Sequence, residues 1–338
     1  MQAFALIRPH TLAAARQRVL AQPEARLYRA GGVDLLDRMK EGLEAPAELV
    51  ELASLQGELG QQLRVLNPTS DSGWEIGALV TLAQLAQLAE HADLDAGHAA
   101  LHQAAASAAT PGIRNLATLG GNLLQRPRCW YFRSADLLCL KKGGSTCLAI
   151  TGEHKYHAIL GGGPSFIVHP STLASALLAL DARVEIAGET TRIIPIAELF
   201  VSPKTDPKRE HILAPGELLT RVLLPAPGPA ARSAYAVAKE KQSHDWPLAE
   251  AVVNLSLEAG VIKSVRVVLG HVAPVPWRSA EAEAALTGQK PGAALFARAA
   301  AAALAPARPL KHNAYKIPLA QGLLREALHR AADLPLPE

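Results

Sequence analysis

Two stretches decide how this chain reads: YRAGGVDLL at residues 28–36 and TPGIRNLATLGGNLL at residues 110–124. In the first, the strand-like ARLYRA runs into Gly31 and Gly32, and Asp34 is placed to cap the helix LLDRMKEGL. The second carries Gly112, Gly120 and Gly121, with Thr110, Thr118 and Asn122 able to add side-chain hydrogen bonds. Glycine lets backbone approach a ligand closely. Consecutive backbone N–H groups, or a helix N-terminus, hold phosphate through donors and dipole. Two such loops facing each other would suit a pyrophosphate, one phosphate for each loop. In a chain with 25 glycines both could equally be plain turns, and the residues alone leave the two readings open.

Outward from these loops the chain reads as α+β. Residues 3–7 read as a strand, and 11–20 as a helix with Thr11 as N-cap. Strands are expected near 63–66 and 74–79, followed by a helix from Thr81 with Leu82, Leu85 and Leu88 on one face. An alanine-rich helix ends before Thr110. Later come a helix over 173–180, a hairpin RVEIAGETTRIIPI turning at Gly188 and Glu189, and a strand in ELLTRVLLP. PAPGPAARS, residues 225–233, is the best linker. Two strands joined at Ala259 and Gly260 follow, then helices over 278–286, 293–304 and 316–330: strands first, helices after.

Residues 125–165 break the pattern. They hold Arg126, Arg128, Arg133, two glycine runs and every cysteine of the chain: Cys129, Cys139 and Cys147. Long irregular loops of this kind are functional or disordered, and the clustered thiols favour function. An odd count argues against a disulfide framework. The spacing lacks the short C-x2-C hooks of zinc sites. Thiolates are the ligands of iron–sulfur clusters, but only three are present, with His154, His157 and Ser165 nearby in sequence; three reduced thiols remain the alternative.

Composition excludes several classes. A net charge of +3, with Lys and Arg 34 against Asp and Glu 31, is too small and too evenly spread for nucleic acid, and 4% aromatics leaves little for base stacking. No apolar run suggests a membrane span, and MQAFALIRPH lacks a signal-peptide pattern, so a cytoplasmic location is expected, or export on a partner's signal. GxGxxG, GxxxxGK[ST], HExxH and GxSxG are all absent. His169, before a proline, reads as a packed turn residue, Lys239 and Lys241 as a solvated basic face, and His244–Asp245 as a tempting acid–base pair.

The chain resembles the FAD-binding medium subunits of molybdenum hydroxylases, the xanthine dehydrogenase, aldehyde oxidoreductase and carbon monoxide dehydrogenase group. The likeness runs nearly end to end, through AGGVDLLDRMK, IGALVTLAQL, IRNLATLGGNLLQRPRCWYFRS, CLKKGGSTC, YHAILGGGPSFIVHPS, LALDARVEI, LAPGELLTRVLLP and VVLGHVAPVPWRSAEAEAAL. The resemblance implies an α+β FAD-binding domain in two subdomains, of the vanillyl-alcohol-oxidase/PCMH-like type. It would span 1–228, dividing near 56 and 57, with the cysteine loop 125–165 as an excursion. A C-terminal domain of antiparallel sheet plus helical bundle would fill 229–338.

In that family the two glycine loops clasp the FAD pyrophosphate. Carried over, the first loop is Ala30, Gly31, Gly32, Val33, Asp34 and Leu35. The second is Thr118, Gly120, Gly121 and Asn122, with Thr110 and Arg114 nearby; Leu213 matches a leucine that packs on the flavin ring. Val33 stands where the family usually has threonine, Thr172 where it has a flavin-side aspartate, and Val237 where many relatives have lysine. The cysteine segment resembles a subgroup with an added [4Fe-4S] cluster; its ligands would be Cys129, Cys139, Cys147 and, at the place of a fourth cysteine, Ser165. The implied function is electron transfer through FAD, between a molybdenum-cofactor large subunit with a [2Fe-2S] small subunit and an external acceptor. A self-sufficient FAD oxidoreductase using His244–Asp245, and a scaffold that has lost its flavin, are the alternatives.

Overall fold

The computed structural model describes residues 1–90, 95–241 and 245–336. Its strands form three sheets. The first is parallel: β1 (Ala5–Ile7), β2 (Arg26–Arg29) and β3 (Glu48–Glu51), with β3 in the middle. Helix α1 (Leu12–Ala21) joins β1 to β2, and Thr11 caps it as expected, its hydroxyl accepting from the Ala14 N–H at 3.2 Å. Helix α2 (Val33–Lys40) follows β2 and buries Leu35 and Met39 on this sheet beside Leu49.

A short helix α3 (Gly57–Gln62) then leads to β4 (Leu66–Pro68) and β5 (Trp74–Gly77). Helices α4 (Leu82–Ala86), α5 (Ala99–Ser107), α6 (Pro111–Arg114) and α7 (Leu119–Leu123) come next; the single turn α8 (Trp130–Arg133) lies in the cysteine loop, and α9 (Thr172–Ala179) after it. The second sheet orders β4-β5-β8-β6-β7, with β6 (Arg183–Ala187) and β7 (Thr191–Pro195) as the expected hairpin and β8 (Leu218–Leu224) at the centre. Every residue of α9 is buried. Its sequence, TLASALLA, is small or apolar all round, which suits a helix covered on all sides. It packs against α5 and α7 and against the third sheet.

The third sheet is antiparallel: β9 (Ala231–Ala238), β10 (Ala249–Glu258), β11 (Val261–Gly270) and β12 (Trp277–Arg278), in the order β12-β11-β10-β9. Helices α10 (Ala280–Leu286), α11 (Ala293–Leu304) and α12 (Lys316–Ala331) cover its other face and share a core with it. The fold is the expected mixed helix–sheet arrangement, a FAD-domain-like part followed by a sheet with helices.

Several elements depart from the sequence reading. Strand β3 went unread, although it is the centre of the first sheet. Residues 57–62 are helical, so the strand expected at 63–66 begins only at Leu66. Strand β9 starts inside the supposed linker. Arg278 ends a strand, and Ser279 caps the helix that follows. Asp34 is not a cap: Gly32 is, in the left-handed region at φ 77°, and Asp34 lies in the first helical turn with its carboxylate engaged elsewhere.

Candidate functional site

The two glycine loops do face each other. An added Cβ on Gly31 would fall 1.9 Å from the carbonyl oxygen of Leu116, so the two segments touch backbone to backbone, and only glycine permits it. Together they line one side of a cleft with a cavity volume of about 480 Å3. Ala30, Gly31, Gly32, Val33, Asp34 and Leu35 lie along it, as do Thr118, Gly120, Gly121, Asn122, Thr172 and Leu213. Thr110 and Arg114 stand behind this wall. Thr110 caps α6, and the Arg114 guanidinium donates to the carbonyls of Ala108 (2.9 Å) and Ala109 (3.3 Å).

The loops differ in what they offer. In the first, the positive φ of Gly32 turns the chain from β2 into α2 and leaves the first N–H groups of the helix unspent, as at any helix start. In the second, the N–H groups of Leu119 and Gly120 donate to Val80 and Ala78, and those of Gly121 and Asn122 to the side chain and carbonyl of Thr118. The amide nest therefore belongs to the first loop, while the second supplies close packing and side chains. The capping preference of Thr118, read in the sequence as a ligand bond, is what spends the Gly121 donor. Asn122 Oδ1 accepts from the Ser171 hydroxyl at 2.6 Å, which leaves its NH2 as the group offered to the cleft.

Leu213 and Leu219 give the cleft apolar wall. Lys239 also lines it, and its ammonium donates to the Ser107 carbonyl; the expected solvated basic face does not hold for this residue. Trp246 stands at the rim, under the Arg128 guanidinium at 4.6 Å. His244 lies outside the described residues. Its neighbour Asp245 accepts from the N–H groups of Lys241 (3.0 Å) and Trp246 (2.9 Å), as a turn aspartate does. His169 packs as expected, edge-on to Phe200 at 4.7 Å.

Asp34 ties the first loop to the cysteine segment. Its carboxylate meets Arg133 (2.6 Å), Arg128 (2.9 Å) and Arg38 (3.0 Å), and accepts from the Arg126 N–H at 3.1 Å. Burial alone would raise its pKa, but the guanidinium groups of Arg38, Arg128 and Arg133 outweigh it and hold the carboxyl below its ordinary value. A second tie joins Arg126 (3.0 Å) and the buried Lys141 (2.8 Å) to Glu210. The arginines that looked like loop composition are thus the fasteners of the loop.

Cys129, Cys139 and Cys147 are free thiols, the last two buried. Burial pushes the Cys129 thiol up to about 11, and Cys147 and Cys139 are near enough to add to the rise. The N–H groups of Phe132 and Tyr131 point at the Cys129 sulfur, and His157 Nε2 lies 3.2 Å from it. The two backbone donors favour the thiolate, but burial outweighs them. Burial holds His157 neutral, down to about 4, with Lys316 and His154 adding to the fall. Ser165 is buried. Among the described residues no three His, Cys, Asp or Glu side chains converge on a single metal position.

Known proteins carry the same pattern. Residues 2–227 match the model of the FAD binding domain in molybdopterin dehydrogenase, and residues 233–331 that of the CO dehydrogenase flavoprotein C-terminal domain. The aldehyde oxidoreductase FAD-binding subunit PaoB of Escherichia coli (strain K12) is 35% identical over 337 residues, 98% of this chain and 99% of PaoB. Among solved structures, reconstituted CO dehydrogenase from Oligotropha carboxidovorans superposes with a TM-score of 0.75 at 24% identity over 99% of both chains. Quinoline 2-oxidoreductase from Pseudomonas putida 86 gives 0.72 at 21% over 98% of both. These two show the fold.

Proposed function

This chain belongs to the family of FAD-binding subunits of molybdenum hydroxylases, and on that premise we propose that its flavin lies in the cleft between the two glycine loops. The observation that carries the reading is the contact of Gly31 with the Leu116 carbonyl, which sets a free amide nest at the mouth of an apolar cleft. The N–H groups at residues 31–33 would hold the pyrophosphate at the start of α2. Thr118 and Asn122 would bond the cofactor from the facing loop, and Leu213 would pack against its ring. Gly120, Gly121, Ala30, Leu35 and Thr172 would shape the seat. Val33 supplies backbone rather than a hydroxyl, and Asp34 orients the loop through its arginines. Flavin supplies the ability to take electrons singly and pass on one or two.

In this reading the chain passes electrons through FAD within a molybdenum hydroxylase complex. A large subunit with molybdenum cofactor would oxidise the substrate and a small [2Fe-2S] subunit would feed this one, as a heterotrimer. The whole-length likeness to PaoB supports an aldehyde as the substrate class. The boundary between the two parts is drawn at 228 and 229. Among the described residues no helix is long and apolar enough to cross a membrane. Three unpaired cysteines suit a reducing compartment, so the cytoplasm is proposed, with co-export on a partner as the alternative.

A [4Fe-4S] cluster on Cys129, Cys139, Cys147 and Ser165 belongs to the same proposal. It is supported by the two backbone N–H groups at the Cys129 sulfur and by the nearness of Cys139 and Cys147 to it. Each thiolate would bind its own iron of the cluster. The test is chemical: anaerobically purified chain should carry one FAD and about four irons with matching sulfide. Flavin without iron would remove the cluster from the reading, and a colourless chain that takes up no FAD would remove the flavin seat.

A further inference from the structure

Behind Thr172, where the cleft meets the third sheet, lies a carboxyl group that the electron-transfer reading does not use. Glu250, on β10, has no solvent exposure. Its Oε2 accepts from the Tyr235 hydroxyl at 2.9 Å, and the nearest histidine nitrogen, His271 Nε2, is 3.7 Å away. Its Oε1 lies over Gly270 beside the Ser175 hydroxyl. A Cβ on Gly270 would fall 2.0 Å from Oε1, so the glycine is what makes room for the carboxyl.

Among the described residues no lysine or arginine forms an ion pair with this group. Tyr235 on β9, Lys239 just after it and His271 after β11 face it. Lys316 at the start of α12 spends its ammonium on the carbonyls of His271 and Tyr156, and burial, with Lys316, His169 and Lys239 adding to it, keeps His271 uncharged. Burying an unpaired carboxylate is costly, so the group keeps its proton. Burial pushes it up to about 8 against the pull of Ser175, Tyr235, Lys239 and Thr172.

The link to the cleft is short. The Thr172 hydroxyl interacts with both the Glu250 carboxyl and the Tyr235 hydroxyl, lies 3.5 Å from His271 Nε2, and lines the cleft. Lys239 lines the same cleft and is itself drawn toward Glu250.

We propose that Glu250 is the proton reservoir of the cleft, delivering a proton through the Thr172 hydroxyl when the bound flavin is reduced. The inference rests on the flavin seat proposed above. Two electrons, from the iron–sulfur partner or from a dithionite-type reductant, are balanced by two protons on the flavin. One comes from Glu250: its O–H bond breaks, the Thr172 oxygen takes that proton, and Thr172 releases its own to the cleft. The carboxylate left behind faces the Tyr235 hydroxyl and the Lys239 ammonium, stays ionised while the flavin is reduced, and takes its proton back when the flavin is reoxidised. The second proton comes from solvent.

The experiment uses the full FAD-loaded chain, native and Glu250→Gln, titrated with dithionite from pH 6 to 9.5 (a span chosen to bracket about 8). The native flavin midpoint potential should change its slope against pH near that value, and the break should vanish in E250Q. Redox-difference infrared spectra of the native chain read the same step without a variant: the band of a protonated carboxyl should change when the flavin is reduced at pH 7. A native chain that binds no FAD overturns both the flavin seat and the reservoir. A flavin-loaded native chain with no break, a break that survives E250Q, or a carboxyl band indifferent to flavin reduction overturns the reservoir alone.

Discussion

Gly31 bears a direct structural demand, because any side chain on it would meet a backbone carbonyl that cannot rotate away. Gly31→Ala is expected to push the two loops apart, cost about 1–3 kcal/mol as an overpacked site, and weaken FAD binding at least tenfold. Thermal melts and flavin-fluorescence titration would check both. Glu250 makes a prediction of opposite sign. A carboxyl whose folded pKa is about 8, against an ordinary 4.5, binds a proton in the folded state that the unfolded chain has released. Stability should therefore fall as pH rises between those values. Glu250→Gln should remove that fall and melt above the native protein at pH 8, a result that a native-like decline in the variant would contradict. Such residues were legible to different degrees. The glycines announced themselves by pairing, whereas Glu250 sits in an ordinary-looking strand, and only the burial of β10 reveals it.

At the scale of elements, the loop–strand–helix logic around the glycines was readable because turn residues and caps act locally: Thr11 caps where its sequence says. Strands β3 and β9 were not. ELVE is four residues with no alternation, made a strand by parallel partners on both sides. ARSAYAVA offers mostly alanine to a period-two pattern, and its place is set by pairing with β10. The cysteine segment is held by ion pairs to α2, which no local signal could show. Asp34→Ala should leave the guanidiniums of Arg38, Arg128 and Arg133 short of their shared partner and cost about 3–5 kcal/mol, as for a broken buried pair. It should also release flavin and iron together; loss of neither, measured by absorbance and iron content, would show that the tie does not position the loop. Because the carboxyl titrates below its ordinary range, the tie should hold at mildly acidic pH and fail only as pH drops through that lowered value.

Across the whole molecule, one core runs from the first two sheets into the third: Leu173 and Leu177 of α9 belong to the same cluster as Tyr235, Val252 and Val268. Packing is continuous across the proposed division near residue 228. A fragment of residues 1–228 would uncover α9 and α5, and is expected to aggregate or to melt well below the full chain. Equal melting temperatures would show the two parts to be independent. The same packing places Glu250, a residue of the C-terminal sheet, behind the cleft wall, so the proposed seat and its proton source come from both halves.

The central claim is that the cleft between the glycine loops seats FAD. The most direct test is a titration of apo-chain with FAD, followed by fluorescence quenching, for the native protein and for Gly31→Val. The account predicts one FAD per native chain and binding weakened by at least tenfold in the variant, whose circular dichroism stays native. Equal affinity in the two, or no binding by the native chain, would contradict it.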